Sequence, residues 1–235
     1  MGRNFSFNRP DGQPVQGYLA EPAQPAGAPG IVVIQEWWGL NDQIRGVADR
    51  LALAGYRALV PDLYRGQSTV EAEEAHHLMD GLNFGDAAGQ DIRGAVQALK
   101  AAQPGAGVGI TGFCMGGALT LLALAQTPEA DAGVVWYGCP PLEYLDAAAI
   151  RVPLQGHWAE QDQFFPIATV DALESRLVEA GARPDFHRYL AHHAFANETA
   201  SGPGRLPATQ YDAQWAQRAW DRTLTFFGRH LAVAG

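Results

Sequence analysis

Short apolar runs alternate along this chain with longer stretches in which apolar residues recur every three or four positions. That alternation predicts buried strands separated by amphipathic helices, and so a mostly parallel central sheet with helices on both faces. Phe5 and Phe7, the turn residues Pro10-Asp11-Gly12, and Val15 to Leu19 predict an antiparallel N-terminal hairpin at the sheet edge. The continuous run Gly30-Ile31-Val32-Val33-Ile34-Gln35 predicts a strand buried on both faces, near the middle of the sheet. Asn41 and Asp42 offer N-caps for a helix carrying Ile44, Val47, Leu51 and Ala54, which Gly55 ends.

Tyr56 to Val60 is the next predicted strand. Val70 to Leu82 is helical in period but polar, as expected of a helix lying over a cleft, and Ala87 to Ala102 is a cleaner amphipathic helix. Val108 and Ile110 predict a short strand, Met115 to Gln126 a helix, and Ala132–Tyr137 and Val152–His157 two more strands. Helix Ile167–Ala180, strand Phe186–Leu190 and helix Tyr211–His230 complete the pattern. No repeat or linker interrupts it, and the Pro/Gly-rich patches at 20–30 and 202–207 are loop-sized, so residues 1–235 read as one α/β domain.

Composition narrows what such a domain does. A chain of 235 residues buries an adequate core without disulfides or a structural metal. With 16 basic against 25 acidic residues, a net charge of −9 and no basic run, nucleic acid and anionic membrane surfaces are poor partners. The N-terminus lacks a secretory apolar stretch and no segment has the length of a spanning helix, so the expected location is the cytoplasm. The two cysteines, Cys114 and Cys139, form no C-x-x-C pair, and the histidine doublets 76–77 and 192–193 lack metal-ligand spacing, so neither a metal nor any other cofactor is expected.

Cys114 lies in the frame Gly112-Phe113-Cys114-Met115-Gly116, between a predicted strand and an Ala/Leu-rich helix. This is a nucleophile elbow with sulfur in place of oxygen. Small neighbours let strand and helix approach, and the helix N-terminus favours the thiolate. Cys139 lacks that setting and reads as structural or pocket lining. A thiol nucleophile needs a base and a group that orients the base, supplied by later strand ends in the order nucleophile, acid, histidine. Asp162 or Glu160 and His193 or His192 fill those places, in loops that open at the carboxyl edge of the sheet. The overlapping Gly107-x-Gly109-x-x-Gly112 matches a dinucleotide-binding fingerprint, but its residues fall on the strand itself rather than after it.

Taken together, Gln35-Glu36-Trp37-Trp38-Gly39, Gly112-Phe113-Cys114-Met115-Gly116-Gly117, Gln161-Asp162-Gln163-Phe164-Phe165-Pro166 and His193-Ala194-Phe195-Ala196 resemble the dienelactone hydrolase family over nearly the whole chain. The resemblance implies an α/β-hydrolase fold and a triad of Cys114 as nucleophile, His193 as base and Asp162 as orienting acid. It also implies that Glu36 interacts with the resting thiol and promotes thiolate formation when substrate enters. Backbone N–H groups of Trp37 and Met115 would form the oxyanion hole. Trp38, Phe113, Phe164, Phe195 and Asn197 are the expected pocket residues.

One departure bears on substrate. The family's well-known members hold a substrate carboxylate with arginines, one of them four residues after the catalytic histidine, where this chain has Asn197, and no arginine lies between Arg65 and Arg93. The expected activity is therefore cleavage of neutral esters or lactones through a cysteine acyl-enzyme, with reach toward other activated esters, including phosphotriesters. The enzyme is expected to be a monomer or homodimer. The competing readings are an NAD(P)-dependent oxidoreductase using Gly107, Gly109 and Gly112, and a catalytically silent hydrolase-like binding module.

Overall fold

The computed structural model describes residues 2–231. Its eight strands, β1 (Arg3–Asn8), β2 (Pro14–Ala20), β3 (Gly30–Ile34), β4 (Arg57–Pro61), β5 (Val108–Phe113), β6 (Ala132–Trp136), β7 (Leu154–Ala159) and β8 (Asp185–Tyr189), form one sheet in the order β1-β2-β4-β3-β5-β6-β7-β8. The first two pair antiparallel, β2 runs antiparallel to β4, and every other pair is parallel. The chain leaves β3 toward β4 on one side and returns to β5 on the other, which opens a crevice at the carboxyl ends of the central strands.

β3 is buried throughout and serves two cores at once. Val32 and Ile34 face one, Ile31 and Val33 the other. The first core packs against α4 (Arg93–Ala102), α5 (Met115–Gln126) and α6 (Ile167–Glu179), and the second against α1 (Asp42–Leu53) and α7 (Ala213–His230). Asn41 caps α1 by accepting from the Ile44 N–H at 3.1 Å, and Asp212 caps α7. No helix among the described residues is long and apolar enough to cross a membrane.

Two stretches differ from the sequence pattern. The helix expected over 87–102 starts earlier and is not uniform. A short α3 (Phe84–Asp86) runs into a π-helical segment (Ala87–Ile92) before α4. The widened turn buries Asp91, which receives both Arg65 and Arg9, and burial holds that carboxyl above its usual range against both cations. The polar helix over the cleft, α2 (Ala72–Asp80), buries only Ala75, because its other residues face solvent or the cavity below.

The strands that carry the acid and histidine loops are pinned from behind. His157 of β7 is fully buried, with its ring nitrogens 2.8 Å from the Tyr189 hydroxyl of β8 and 2.9 Å from Thr223 of α7. Burial pushes its pKa well below the usual histidine value, so the imidazole is neutral and serves as an uncharged spacer between three elements.

Candidate active site

Cys114 follows β5 and precedes α5, with backbone angles φ 53° and ψ −116°. A positive φ is costly for a residue with a Cβ, and here the surroundings impose it. The Cys114 N–H donates to Trp136 O at 3.0 Å, while its carbonyl accepts from Gly117 and Ala118 in the first turn of α5. At Gly112 any Cβ would overlap the Gly116 carbonyl, which is why the strand and helix can meet so closely. The turn leaves the thiol partly exposed at the floor of a large cavity.

His193 and Asp162 reach the same point from β8 and β7. His193 Nδ1 lies 2.7 Å from Asp162 Oδ2, and both residues are buried. The other Asp162 oxygen accepts from the N–H groups of Phe164 (2.8 Å) and Phe165 (3.0 Å), so the acid is fixed by its own loop while it orients the imidazole. Cys114 and His193 line the same cavity. Burial would lower the imidazole pKa, but the charge and hydrogen bonding of Cys114 and Asp162 outweigh it and raise the pKa to about 10. The rival residues lie elsewhere. Glu160 is exposed, and His192 lines no part of the cavity, its Nδ1 buried without a partner among the described residues.

Glu36 ends the run that follows β3 and is buried at the cavity wall. Its oxygens receive Tyr137 Oη at 3.3 Å and Asn197 Nδ2 at 2.8 Å. Burial raises its pKa, with His193, Asn197 and Tyr137 opposing the shift. These partners differ from the thiol contact that the resemblance implied, because Asn197 reaches the carboxyl from the histidine loop and Tyr137 from the end of β6. Tyr137, at φ 36° and fully buried, also places its ring edge-on to His193 at 5.2 Å. Sequence alone offered no reason to single out this tyrosine at the end of an ordinary strand.

The N–H groups of Trp37, in the loop after β3, and Met115, at the start of α5, have no acceptor among the described residues, and both residues line the cavity with Cys114. The cavity has a volume of about 1210 Å³ and includes Trp38, Phe164 and Asn197 in its wall. Phe164 stands 4.9 Å from the His193 ring and is about half exposed at the mouth. Cys139 lines the cavity too, its thiol pushed up to about 11 by burial and by the nearby Asp162.

Phe113 and Phe195 are not pocket residues. Phe113 stacks on Trp136 at 5.0 Å inside the core because, at the end of a strand, the residue before Cys114 points to the opposite face. Phe195 is fully buried between Tyr137 (5.3 Å) and Tyr189 (5.2 Å), where it anchors the histidine loop rather than meeting a ligand. Arg205, unremarked in the sequence pattern, lines the mouth, as does Glu71, so the entrance carries one charge of each sign.

Among the described residues no three His, Cys, Asp or Glu side chains are grouped to hold a metal ion. Gly109 and Gly112 lie inside β5, paired in register with β3 and β6, and Phe227 fills the space beside Gly109. Their N–H groups are committed to the ladder and so do not cradle a pyrophosphate.

The dienelactone hydrolase family model matches residues 15–231. Protein usf of Aquifex pyrophilus is 33% identical over 240 residues, covering 98% of this chain and 100% of that protein. A putative carboxymethylenebutenolidase of Aquifex aeolicus (strain VF5) is 32% identical over 241 residues, with 98% and 100% coverage. A dienelactone hydrolase-like promiscuous phosphotriesterase from metagenomic libraries superposes with a TM-score of 0.82 at 24% identity, covering 98% of each chain, a likeness of fold.

Proposed function

The chain belongs to the dienelactone hydrolase family and is a hydrolase acting on esters or lactones, and from that premise we propose that it works through an acyl-thioenzyme on Cys114 and prefers neutral substrates. The observation that carries this reading is the pairing of His193 with Asp162 at 2.7 Å in the cavity that Cys114 also lines, where the imidazole pKa is raised. The Cys114 thiolate attacks the carbonyl carbon, and the carbonyl oxygen takes the displaced electron pair. The N–H groups of Trp37 and Met115 are the donors for that oxyanion. As the tetrahedral species collapses, the bond to the leaving oxygen breaks and His193 gives that oxygen its proton. Loss of the thiolate charge then lowers the imidazole pKa. His193, now neutral, removes a proton from water, which attacks the acyl carbon and returns the thiolate.

The preference for neutral substrates is supported by Glu36 and Asn197. A buried carboxyl lines the cavity that Cys114 also lines, and the residue four beyond His193 is an amide occupied in holding that carboxyl. The single Arg205 at the mouth is offset by Glu71. Turnover of other activated esters, phosphotriesters included, belongs to the same thiolate chemistry. The cytoplasmic placement is supported by two cysteines that stand unpaired in the fold.

An activated neutral aryl ester tests the scheme. Wild type should give a burst of the aryl alcohol followed by slower turnover, and Cys114→Ala should lose both by about 10³-fold or more, the scale on which catalytic nucleophiles fail. Full activity in Cys114→Ala would remove cysteine from the mechanism.

A further inference from the structure

The cavity is larger than a small lactone needs, since sites for drug-sized ligands occupy about 300–1,000 Å³ and this one measures about 1210 Å³. Its surplus has a direction. Cys114, Ala118, Leu122 and Gln126 all line it, one residue from each successive turn of α5 and the turn that precedes it. At a rise of 1.5 Å per residue that stripe runs about 18 Å from the nucleophile along the helix. Met79 and Phe84, from the helical segment after β4, and Pro141 and Tyr144, from the turn after β6, line the same cavity, whose wall is mostly apolar, with Thr69, Glu71, His76 and Gln126 among its polar residues. The rest of the wall comes largely from the histidine loop, with Asn197, Ala200, Leu206 and Thr209. His193 must stand beside the departing oxygen to protonate it, so the leaving group belongs on its loop's side and the acyl portion along α5.

We infer that the apolar reach of the cavity along α5 is an acyl-chain site, and that the preferred substrates are esters with a medium- or long-chain aliphatic acyl group. The inference rests on the cysteine acyl-enzyme reading above, which puts the acyl carbon on Cys114 at the head of the stripe. An apolar cleft gains by taking methylenes out of water, whereas a short acyl group would leave most of this one filled with solvent that has few polar partners.

The test is a series of p-nitrophenyl esters from acetate through butanoate and octanoate to dodecanoate, each kept monomeric, with kcat/KM as the readout. Each buried methylene is worth up to about fourfold, so a rise of at least about tenfold from acetate to octanoate is expected even if transfer is partial. Leu122→Trp narrows the stripe from α5 and Met79→Trp narrows it from α2, and each should cut the octanoate-to-acetate ratio at least about fivefold. Two variants from different elements guard against one that fails to fold. A flat or falling acyl series, an unchanged ratio in both variants, or a rise confined to esters lengthened on the alcohol side would overturn the acyl-chain site. Octanoate hydrolysis that persists in Cys114→Ala with the same chain-length preference would leave the acyl-chain site standing and remove the nucleophile.

Discussion

A carboxyl group closed off from water keeps its proton more firmly than one in solvent, and Glu36 is in that position with only two neutral partners, Tyr137 and Asn197. Its raised pKa means that the folded state binds the proton more tightly than the unfolded chain, so stability falls as pH rises from the ordinary glutamate value through the raised one. Glu36→Gln keeps an oxygen for Asn197 and an amide for Tyr137 without an ionisable group. It should raise Tm at pH 8, with the gain vanishing near pH 4. Thermal melts at both pH values check this, and a variant that is not stabilised at pH 8 would contradict it. His193 has the opposite linkage. Its pKa is raised to about 10 from 6.5, so its contribution to stability is complete below about 6.5 and is lost as pH rises through about 10. The acylation burst should therefore hold to about pH 9 and fall only toward pH 10 and above. A burst that declines near pH 7 would mean that the imidazole pKa is not raised in this site.

At the scale of elements, the β5–α5 elbow and its neighbours were legible because glycine spacing is a direct record of close backbone approach. Gly112→Ala puts a Cβ into the Gly116 carbonyl and should cost more than about 3 kcal/mol or prevent folding, since a core with no room relaxes only by moving backbone. Gly46, inside α1, has open space where a Cβ would stand, and Gly46→Ala should stabilise by about 0.5–1 kcal/mol through helix propensity alone. Urea titration of the pair separates steric need from incidental glycine. The π-helical segment was not legible. Its 87–102 pattern is compatible with an unbroken α-helix, and the widened turn exists because Asp91 must reach Arg9 and Arg65, residues distant in sequence. The role of α5 was half legible. Its apolar character marked it as buried, but not that the face through Ala118 and Leu122 borders a cavity rather than another helix.

Over the whole molecule, the net charge of −9 sets a repulsive field for anionic ligands, and a mouth with one cation and one anion does little to reverse it. A carboxylate-bearing ester should show kcat/KM at least about tenfold below that of its neutral isostere at low salt, with the gap narrowing as the Debye length shrinks from about 30 Å at 0.01 M to about 8 Å at 0.15 M. An anionic ester that is preferred, and that loses its preference in Arg205→Ala, would show instead that this one arginine acts as a clamp.

The order of strands and helices along the chain, the acidic balance and the elbow were determined by the sequence, because periodicity, charge and glycine spacing are local properties. The residue pattern left Asp162 or Glu160 and His193 or His192 open, because each pair follows the same strand, and it was the resemblance to the dienelactone hydrolase family that implied Asp162 and His193. What only the tertiary structure decided were contacts between residues far apart in the chain. They include the capture of Glu36 by Asn197 and Tyr137, the burial of Phe113 and Phe195 away from the pocket, and the arrival of Arg205 at its mouth. A side chain's partner across the sheet depends on register and loop path, and neither is written in the spacing of its own neighbours.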